Sequence, residues 1–315
     1  MNFNPHINKR NEDSNKGTFG RVLVIAGSEN MSGCVFFCSM GALRTGCGLV
    51  NIYTHKDNLL PLKTLVPEAI FDQFDDFTKE NPYERLDYLL QRADSVVIGP
   101  GLKYGEESYK LVLHVIKNFD KHIVLDAEAL NVISHNFSIE NVLDDSFKAD
   151  FKHPLYNINK NRSLIITPHL YELSRLTKER PDMLKDHLNE FALEIAKKYG
   201  IITVLKDHNT RVSDGKDVYT NKTGNSALAK AGSGDILAGM IGSLILQDEY
   251  TFRAVNTAVY LHGKAGELAG AKLSEYSTIS RDILDYISQA ILTIKSDEKI
   301  YYNNVIAEVM NASFR

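Results

Sequence analysis

Two glycines and a serine stand directly before an acid in Ala231-Gly232-Ser233-Gly234-Asp235, at the head of an apolar stretch that reads as a helix from Asp235 to Leu246. The N–H groups of a first helical turn lack intrahelical acceptors, so they point at an anion, and the helix dipole adds to the attraction. Asp235 in that turn would lie beside a bound phosphate. There it would take a proton from a substrate hydroxyl as that oxygen attacks phosphorus. The same residues would also make an ordinary capped helix whose acid complements the dipole. Spacing alone does not choose between the two.

Such a turn needs a scaffold that brings other groups to it. Short apolar runs at Arg21–Ala26, Leu49–Thr54, Ser95–Ile98, His122–Leu125, Leu164–Ile166 and Ile202–Leu205 read as buried strands. Helical stretches at Gly33–Thr45, Glu106–Asn118 and Leu184–Tyr199 alternate with them, the pattern of βαβ units and a parallel sheet. Past Gly232 strands stop, and Phe252–Gly270 and Ser280–Ile294 read as further helices. In an open parallel sheet, ligands sit outside the carboxyl ends of the strands. The residues just past those ends are Gly27-Ser28, Gly99-Pro100-Gly101, Asp126, Thr167-Pro168-His169 and Lys206. Glycine, hydroxyl, carboxylate, imidazole and amine therefore gather on one edge. Asp126 and Glu172 are candidates for an outer-shell magnesium site, since that ion keeps most of its waters. Each is equally ordinary as a capping Asp or a helix-surface Glu.

Composition narrows the class. With 315 residues, 43% hydrophobic and 24% charged, the chain suits a globular protein with a sizeable core. A net charge of -4 carries no basic excess of the kind that binds nucleic acid. No run approaches the roughly 20 apolar residues of a membrane helix, and no signal peptide is expected at the start. Cys34, Cys38 and Cys47 are odd in number, which argues against a disulfide framework and for a reducing, cytoplasmic setting. They read as small packing residues rather than metal ligands. No G-x-x-x-x-G-K-[ST] occurs, and Gly99-Pro100-Gly101 lacks the third glycine of a dinucleotide fingerprint. Residues 1–16 are expected to be a flexible arm, 135–162 an inserted surface loop, and 296–315 a C-terminal extension, around one domain over 17–295.

Taken in order, several motifs resemble one family. They are Val24-Ile-Ala-Gly-Ser28, Gly41-Ala-Leu-Arg-Thr-Gly-Cys-Gly-Leu-Val50, Pro67-Glu68, Ile98-Gly-Pro-Gly-Leu102, Leu125-Asp-Ala-Glu-Ala-Leu-Asn131, Thr167-Pro-His169 and Ala229-Lys-Ala-Gly-Ser-Gly-Asp235 with Leu237-Ala-Gly239. The set, from about Gly17 to Ile294, resembles the ADP-dependent NAD(P)H-hydrate dehydratases of the ribokinase-like superfamily. The resemblance implies a three-layer α/β/α fold with a mainly parallel central sheet. It also implies a repair lyase that returns the hydrates of NADH and NADPH (NADHX and NADPHX) to the reduced cofactor, with ADP giving AMP and phosphate.

Carried over by motif, the resemblance makes Asp235 the catalytic base and a contact to the hydrate. It makes Gly232, Ser233 and Gly234 the anion hole, and Lys206, Asp207, His208, Asn209 and Thr210 a segment that holds the nucleotide. Cys34, Gly101 and His169 match contacts to the nicotinamide hydrate, and Glu172 matches a glutamate that organises magnesium-bound water. Departures from the pattern are Cys34-Val35 for two alanines, Lys103 for a glycine, Asp207 for a glycine and Ser233 for a threonine. Asp207 is expected to put a negative charge near a nucleotide phosphate or ribose. Relatives with an N-terminal epimerase domain have no counterpart before Arg21, so a separate epimerase is the expected functional partner. A homo-oligomer is expected, with no nucleic acid or membrane partner. The alternative reading is a small-molecule kinase, for a vitamin precursor or a sugar, using the same site.

Overall fold

The computed structural model describes residues 3–136 and 162–294. Its centre is a nine-stranded sheet: β1 (Arg21–Ile25), β2 (Leu49–Thr54), β3 (Ile70–Gln73), β4 (Ser95–Ile98), β5 (His122–Leu125), β6 (Leu164–Ile166), β7 (Ile202–Leu205), β8 (Arg211–Ser213) and β9 (Val218–Thr220). The order is β3-β2-β1-β4-β5-β6-β7-β8-β9. Pairing is parallel from β3 through β7, and β8 and β9 add an antiparallel hairpin at one edge.

The central strands are continuous apolar runs because both faces are covered. Alternate side chains feed two cores: Val22 and Val24 enter one, Leu23 and Ile25 the other. One face carries α1 (Ser32–Arg44) and α2 (Leu59–Leu65). The other carries α3 (Glu84–Leu90), α4 (Glu106–Asn118), α5 (Glu128–Asn136), α6 (Leu170–Thr177), α7 (Pro181–Lys185) and α8 (Leu188–Tyr199). The chain then returns to the first face with α9 (Ser233–Leu244), α10 (Thr251–Leu273) and a helix over 280–294, here α11. This is the expected three-layer arrangement.

The six expected strands are all present. The helix read over 184–199 is broken into α7 and α8, with Pro181 starting the first. Strands β3, β8 and β9 carried no recognisable apolar pattern. Ile70 of β3 is 46% exposed at the sheet edge, and β8 and β9 are three residues each. Residues 3–15, expected as a loose arm, hold no helix or strand but lie along the first face. The Phe3 ring sits 4.6 Å from that of Tyr219, and the His6 N–H donates to Thr257 Oγ1 at 3.2 Å. Of the expected insertion, 137–161 lies outside the described residues, as does the extension from 295 onward.

The contact that matters most for the site is between α1 and α9. Their backbones approach so closely at Gly239 that a Cβ there would sit 2.8 Å from the Cys38 carbonyl carbon and 3.0 Å from Ala42 N. No residue with a side chain fits without parting the helices. The start of α9 is thereby fixed beside Cys34, in the first turn of α1.

Candidate active site

The carboxyl ends of the strands meet the N-terminus of α9. Gly232 is its N-cap, and Ser233, Gly234 and Asp235 form its first turn. The Ser233 N–H is taken by the Lys230 carbonyl at 3.2 Å. Those of Gly234 and Asp235 belong to a turn without intrahelical acceptors, a geometry that suits an anion. Lys206, at the end of β7, comes to this turn: its Nζ lies 3.6 Å from where a Cβ on Gly234 would stand.

Lys206 is held from the other side by Asp126, at the end of β5. Its Nζ donates to Asp126 Oδ1 at 2.6 Å, and Thr167 Oγ1 donates to the same oxygen at 2.6 Å. Asp126 is 1% exposed, so this is a buried pair whose carboxylate is already satisfied. Burial opposes the Lys206 charge, but Asp126, Glu172 and Asp235 around it outweigh that and hold its ammonium above the ordinary value. The β6–β7 pairing continues past the strands as a bridge between His169 and Lys206, with the Lys206 N–H on the Pro168 carbonyl at 2.8 Å. That bridge sets imidazole and ammonium side by side.

His169 and Glu172 form a reciprocal cap on α6. His169 Nδ1 accepts the N–H groups of Tyr171 (3.1 Å) and Glu172 (3.2 Å), and Glu172 Oε2 accepts the His169 N–H at 2.8 Å. Burial, with Lys206 and Arg175 nearby, lowers the His169 pKa. With Nδ1 accepting, the neutral ring carries its proton on Nε2, which lies 3.5 Å from Glu172 Oε1. Glu172 is 5% exposed, and burial pushes it up to about 7. Burial, then the like charge of Asp126, pushes Asp235 up to about 7 as well, with Lys206 pulling the other way. A carboxylic acid poised near neutrality at a helix N-terminus is suited to proton transfer.

Across from α9, Cys34 packs directly against the Gly99-Pro100-Gly101 turn. Cys34 Sγ donates to the Met31 carbonyl at 3.0 Å. Gly101 has φ 63, and a Cβ there would collide with the Cys34 sulfur, so glycine is required on both counts. Burial, then Asp235, pushes the Cys34 thiol up to about 12, so it is a neutral, weakly polar wall. Cys38 and Cys47 are buried, as packing residues are.

Of the segment 206–210, only Lys206 reaches the α9 turn through these contacts. Asp207 and His208 are exposed in the loop beyond β7. Asp207 Oδ2 pairs with Arg211 at 3.1 Å, and the Asn209 carbonyl also accepts from Arg211. The charge expected to face a phosphate or ribose therefore has a cationic partner. Thr210 Oγ1 donates to the Asp207 carbonyl at 3.4 Å, closing the loop.

No group of three or more His, Cys, Asp or Glu side chains able to hold a metal occurs among the described residues. Asp126 is committed to Lys206 and Thr167, and Glu172 to the His169 N–H. This donor set fits a magnesium ion held mainly by phosphate oxygens and waters, with a carboxylate in outer contact. One neighbour of the site was not foreseen. His262 of α10 is buried, places Nε2 3.1 Å from Ser233 Oγ, and is pushed down to about 4 by burial, so it is neutral. A single His amid a helix carries no local signal of that contact.

The model of the NAD(P)H-hydrate dehydratase family matches residues 22–289, most of the chain and every residue of this edge. The chain belongs to that family. Among relatives of this dehydratase, the ADP-dependent (S)-NAD(P)H-hydrate dehydratase of Neisseria meningitidis is 33% identical over 84% of this chain and 82% of its own length. That of Bacillus subtilis is 33% identical over 89% and 91%. A solved structure of the ADP/ATP-dependent NAD(P)H-hydrate dehydratase from Bacillus subtilis, co-crystallised with ATP and magnesium, superposes with a TM-score of 0.74 at 28% identity, covering 91% of this chain and 94% of that one. The bifunctional NAD(P)H-hydrate repair enzyme Nnr of Escherichia coli is 29% identical, and the match spans 50% of its length.

Proposed function

We propose that this dehydratase returns (S)-NADH and (S)-NADPH hydrates to NADH and NADPH, using ADP and releasing AMP and phosphate. One observation carries the reading. A carboxylate pushed up to about 7 stands in the first turn of a helix, beside the Lys206–Asp126 pair.

Hydroxide leaves poorly and phosphate leaves well. Asp235 takes the proton of the ring hydroxyl, and the freed oxygen bonds to the terminal phosphorus of ADP. The bond from that phosphorus to its bridging oxygen breaks, and AMP departs with the electron pair. The N–H groups of Gly234 and Asp235 and the Lys206 ammonium stabilise the charge spread over the phosphoryl group in transit. The carbon–oxygen bond then breaks toward phosphate, assisted by the ring-nitrogen lone pair. Loss of a proton from the adjacent carbon restores the double bond.

In this reading Gly232, Ser233 and Gly234, with the loop Lys206, Asp207, His208, Asn209 and Thr210, hold the nucleotide. Cys34, Gly101, His169 and Asp235 hold the hydrate. Magnesium, when bound, supplies neutralising charge at the phosphates, and Glu172 would hold one of its waters. The domain acts on one epimer, and an epimerase activity supplies it from the other. Three buried thiols without disulfide partners fit a cytoplasmic setting. Exposed Leu60, Leu65 and Ile70 beside the edge strand β3 support a homo-oligomer.

The test is absorbance at the reduced-nicotinamide band, with purified protein, (S)-NADH hydrate, magnesium and either ADP or ATP. A rise that requires ADP is expected. A folded protein that shows no rise with either nucleotide overturns the reading and turns the search to a phosphorylated product.

A further inference from the structure

The first turn of α9 is backed by α10. His262 of α10 places Nε2 3.1 Å from Ser233 Oγ, and both residues are buried. Nothing in the phosphoryl transfer itself calls on this contact. We propose that His262 is a positioning residue: it holds the Ser233 hydroxyl away from the Gly234 and Asp235 N–H groups and so keeps them open for the terminal phosphate of ADP. That role rests on the dehydratase reading, which brings the phosphate to the turn.

The make-up of the turn creates the need. Gly232, the N-cap, has no side chain and offers the first N–H groups no acceptor. Ser233 carries the only hydroxyl of Gly232-Ser233-Gly234-Asp235. Serine hydroxyls bond to nearby backbone groups when nothing else engages them, which is why they cap helices. A hydroxyl turned onto the start of α9 would satisfy a donor that the phosphate needs. His262 gives that hydroxyl a buried partner on another helix instead. Burial pushes His262 down to about 4, a hydrogen bond with the Ser233 backbone opposing it and Lys206 adding to it. The neutral ring therefore engages the hydroxyl without bringing a charge that changes with pH.

The chain fastens His262 to the turn. At Gly263, the next residue, a Cβ would stand 2.6 Å from the Thr223 carbonyl carbon, so α10 lies against the segment that leads into α9. Thr223 Oγ1 donates to the Tyr260 carbonyl at 2.8 Å, and the Gly224 N–H to Glu267 Oε1 at 3.0 Å. Ser280 Oγ donates to the Ala231 carbonyl at 2.7 Å, fixing the residue before the N-cap. With the backbone held on both sides of Gly232, the Ser233 hydroxyl is the part of the turn left to orient.

The experiment reads ADP binding by calorimetry, with magnesium and without hydrate. His262→Leu should weaken binding tenfold or more. His262→Gln, whose amide keeps a hydrogen bond to Ser233, should bind within threefold of the unaltered protein. The same His262→Leu step taken in a Ser233→Ala background should cost less than threefold, because the hydroxyl it would release is gone. The acid limb of kcat/KM should stay in place in His262→Gln, since the ring does not titrate there. Equal losses in both backgrounds, no loss in either, no rescue by glutamine, or a displaced acid limb overturns the proposal. Where His262→Leu does not fold, His262→Asn, with its shorter amide, is read in its place. Because calorimetry needs no hydrate, the two readings separate. Coupled loss of ADP binding in a protein without hydrate turnover leaves the role of His262 standing and the dehydratase reading fallen, and turnover without the coupling does the reverse.

Discussion

Gly239→Ala adds one methyl group where α1 and α9 touch, and its effect can be worked out from the contact. The new Cβ would lie 2.8 Å from the Cys38 carbonyl carbon, where ordinary contact begins at 3.4 Å, and the Cys38 oxygen is closer still. The helices must part by at least 0.6 Å for the carbon alone, and by about 1.5 Å to bring the oxygen to the same separation. Overpacking of this kind costs about 1–3 kcal/mol, which lowers the melting temperature by roughly 1.5–5 °C in a chain of this size. The consequence for the site is larger. Gly239 is one turn beyond Asp235, and Cys38 is one turn beyond Cys34, so the displacement passes directly to the distance between Asp235, the proposed base, and Cys34. A misplacement of about 1 Å costs on the order of a hundredfold in rate. The assay is kcat at saturating hydrate and ADP, well below the melting transition, on protein whose circular dichroism matches the unaltered chain. A kcat within twofold of the original, with the melting temperature lowered as calculated, would refute the claim that this helix contact sets the catalytic geometry.

Other changes separate the remaining roles. Asp235→Asn should abolish turnover and leave ADP binding within threefold by calorimetry; retained turnover contradicts its role as base. With Asp235 pushed up to about 7 from the ordinary 3.8, kcat/KM should rise with pH through about 7. The same raised carboxyl group favours the fold while protonated. Its contribution is full below about pH 4 and is lost as pH rises to about 7, and this part of the melting profile should vanish in Asp235→Asn. Asp126→Asn removes a like charge from Asp235 and frees Lys206 to face it, so the acid limb of kcat/KM should move to lower pH. Losing the Asp126 charge from this pair should also lower stability, read by denaturant titration. Lys206→Ala should raise the ADP requirement tenfold or more, and a loss of turnover at saturating ADP without that rise contradicts the nucleotide role.

Much of this architecture is written in short-range pattern. The runs at Val22–Ile25, Val96–Ile98 and Ile202–Leu205 read as strands covered on both faces, because they are short and continuously apolar, and they are such strands. Parallel order predicts Gly101, Asp126, His169 and Lys206 at one edge, and they are there. Strand β3 escaped because an exposed edge strand needs no apolar run, and the β8–β9 hairpin because three-residue strands show no period. Glu172 read as either a surface glutamate or a magnesium-organising one. It is in fact buried and caps α6 against His169.

What the amino-acid sequence determined by itself was the kind of protein and the inventory of its chemistry. Alternation of apolar strands with helices dictates a parallel sheet, a parallel sheet dictates where ligands bind, and Gly232-Ser233-Gly234-Asp235 supplies a glycine-rich helix start with an acid in it. What only the tertiary structure decided was the state of those groups. Lys206 and Asp126 are 80 positions apart yet share a 2.6 Å hydrogen bond, and Ser233 and His262 meet across 29 positions. Asp207 is neutralised by Arg211, and Asp235 is pushed toward neutrality by burial. The physical reason is range. Helix and strand periodicity are set by neighbours along the chain, whereas desolvation and ion pairing are set by whatever folding packs alongside, and no local pattern encodes that.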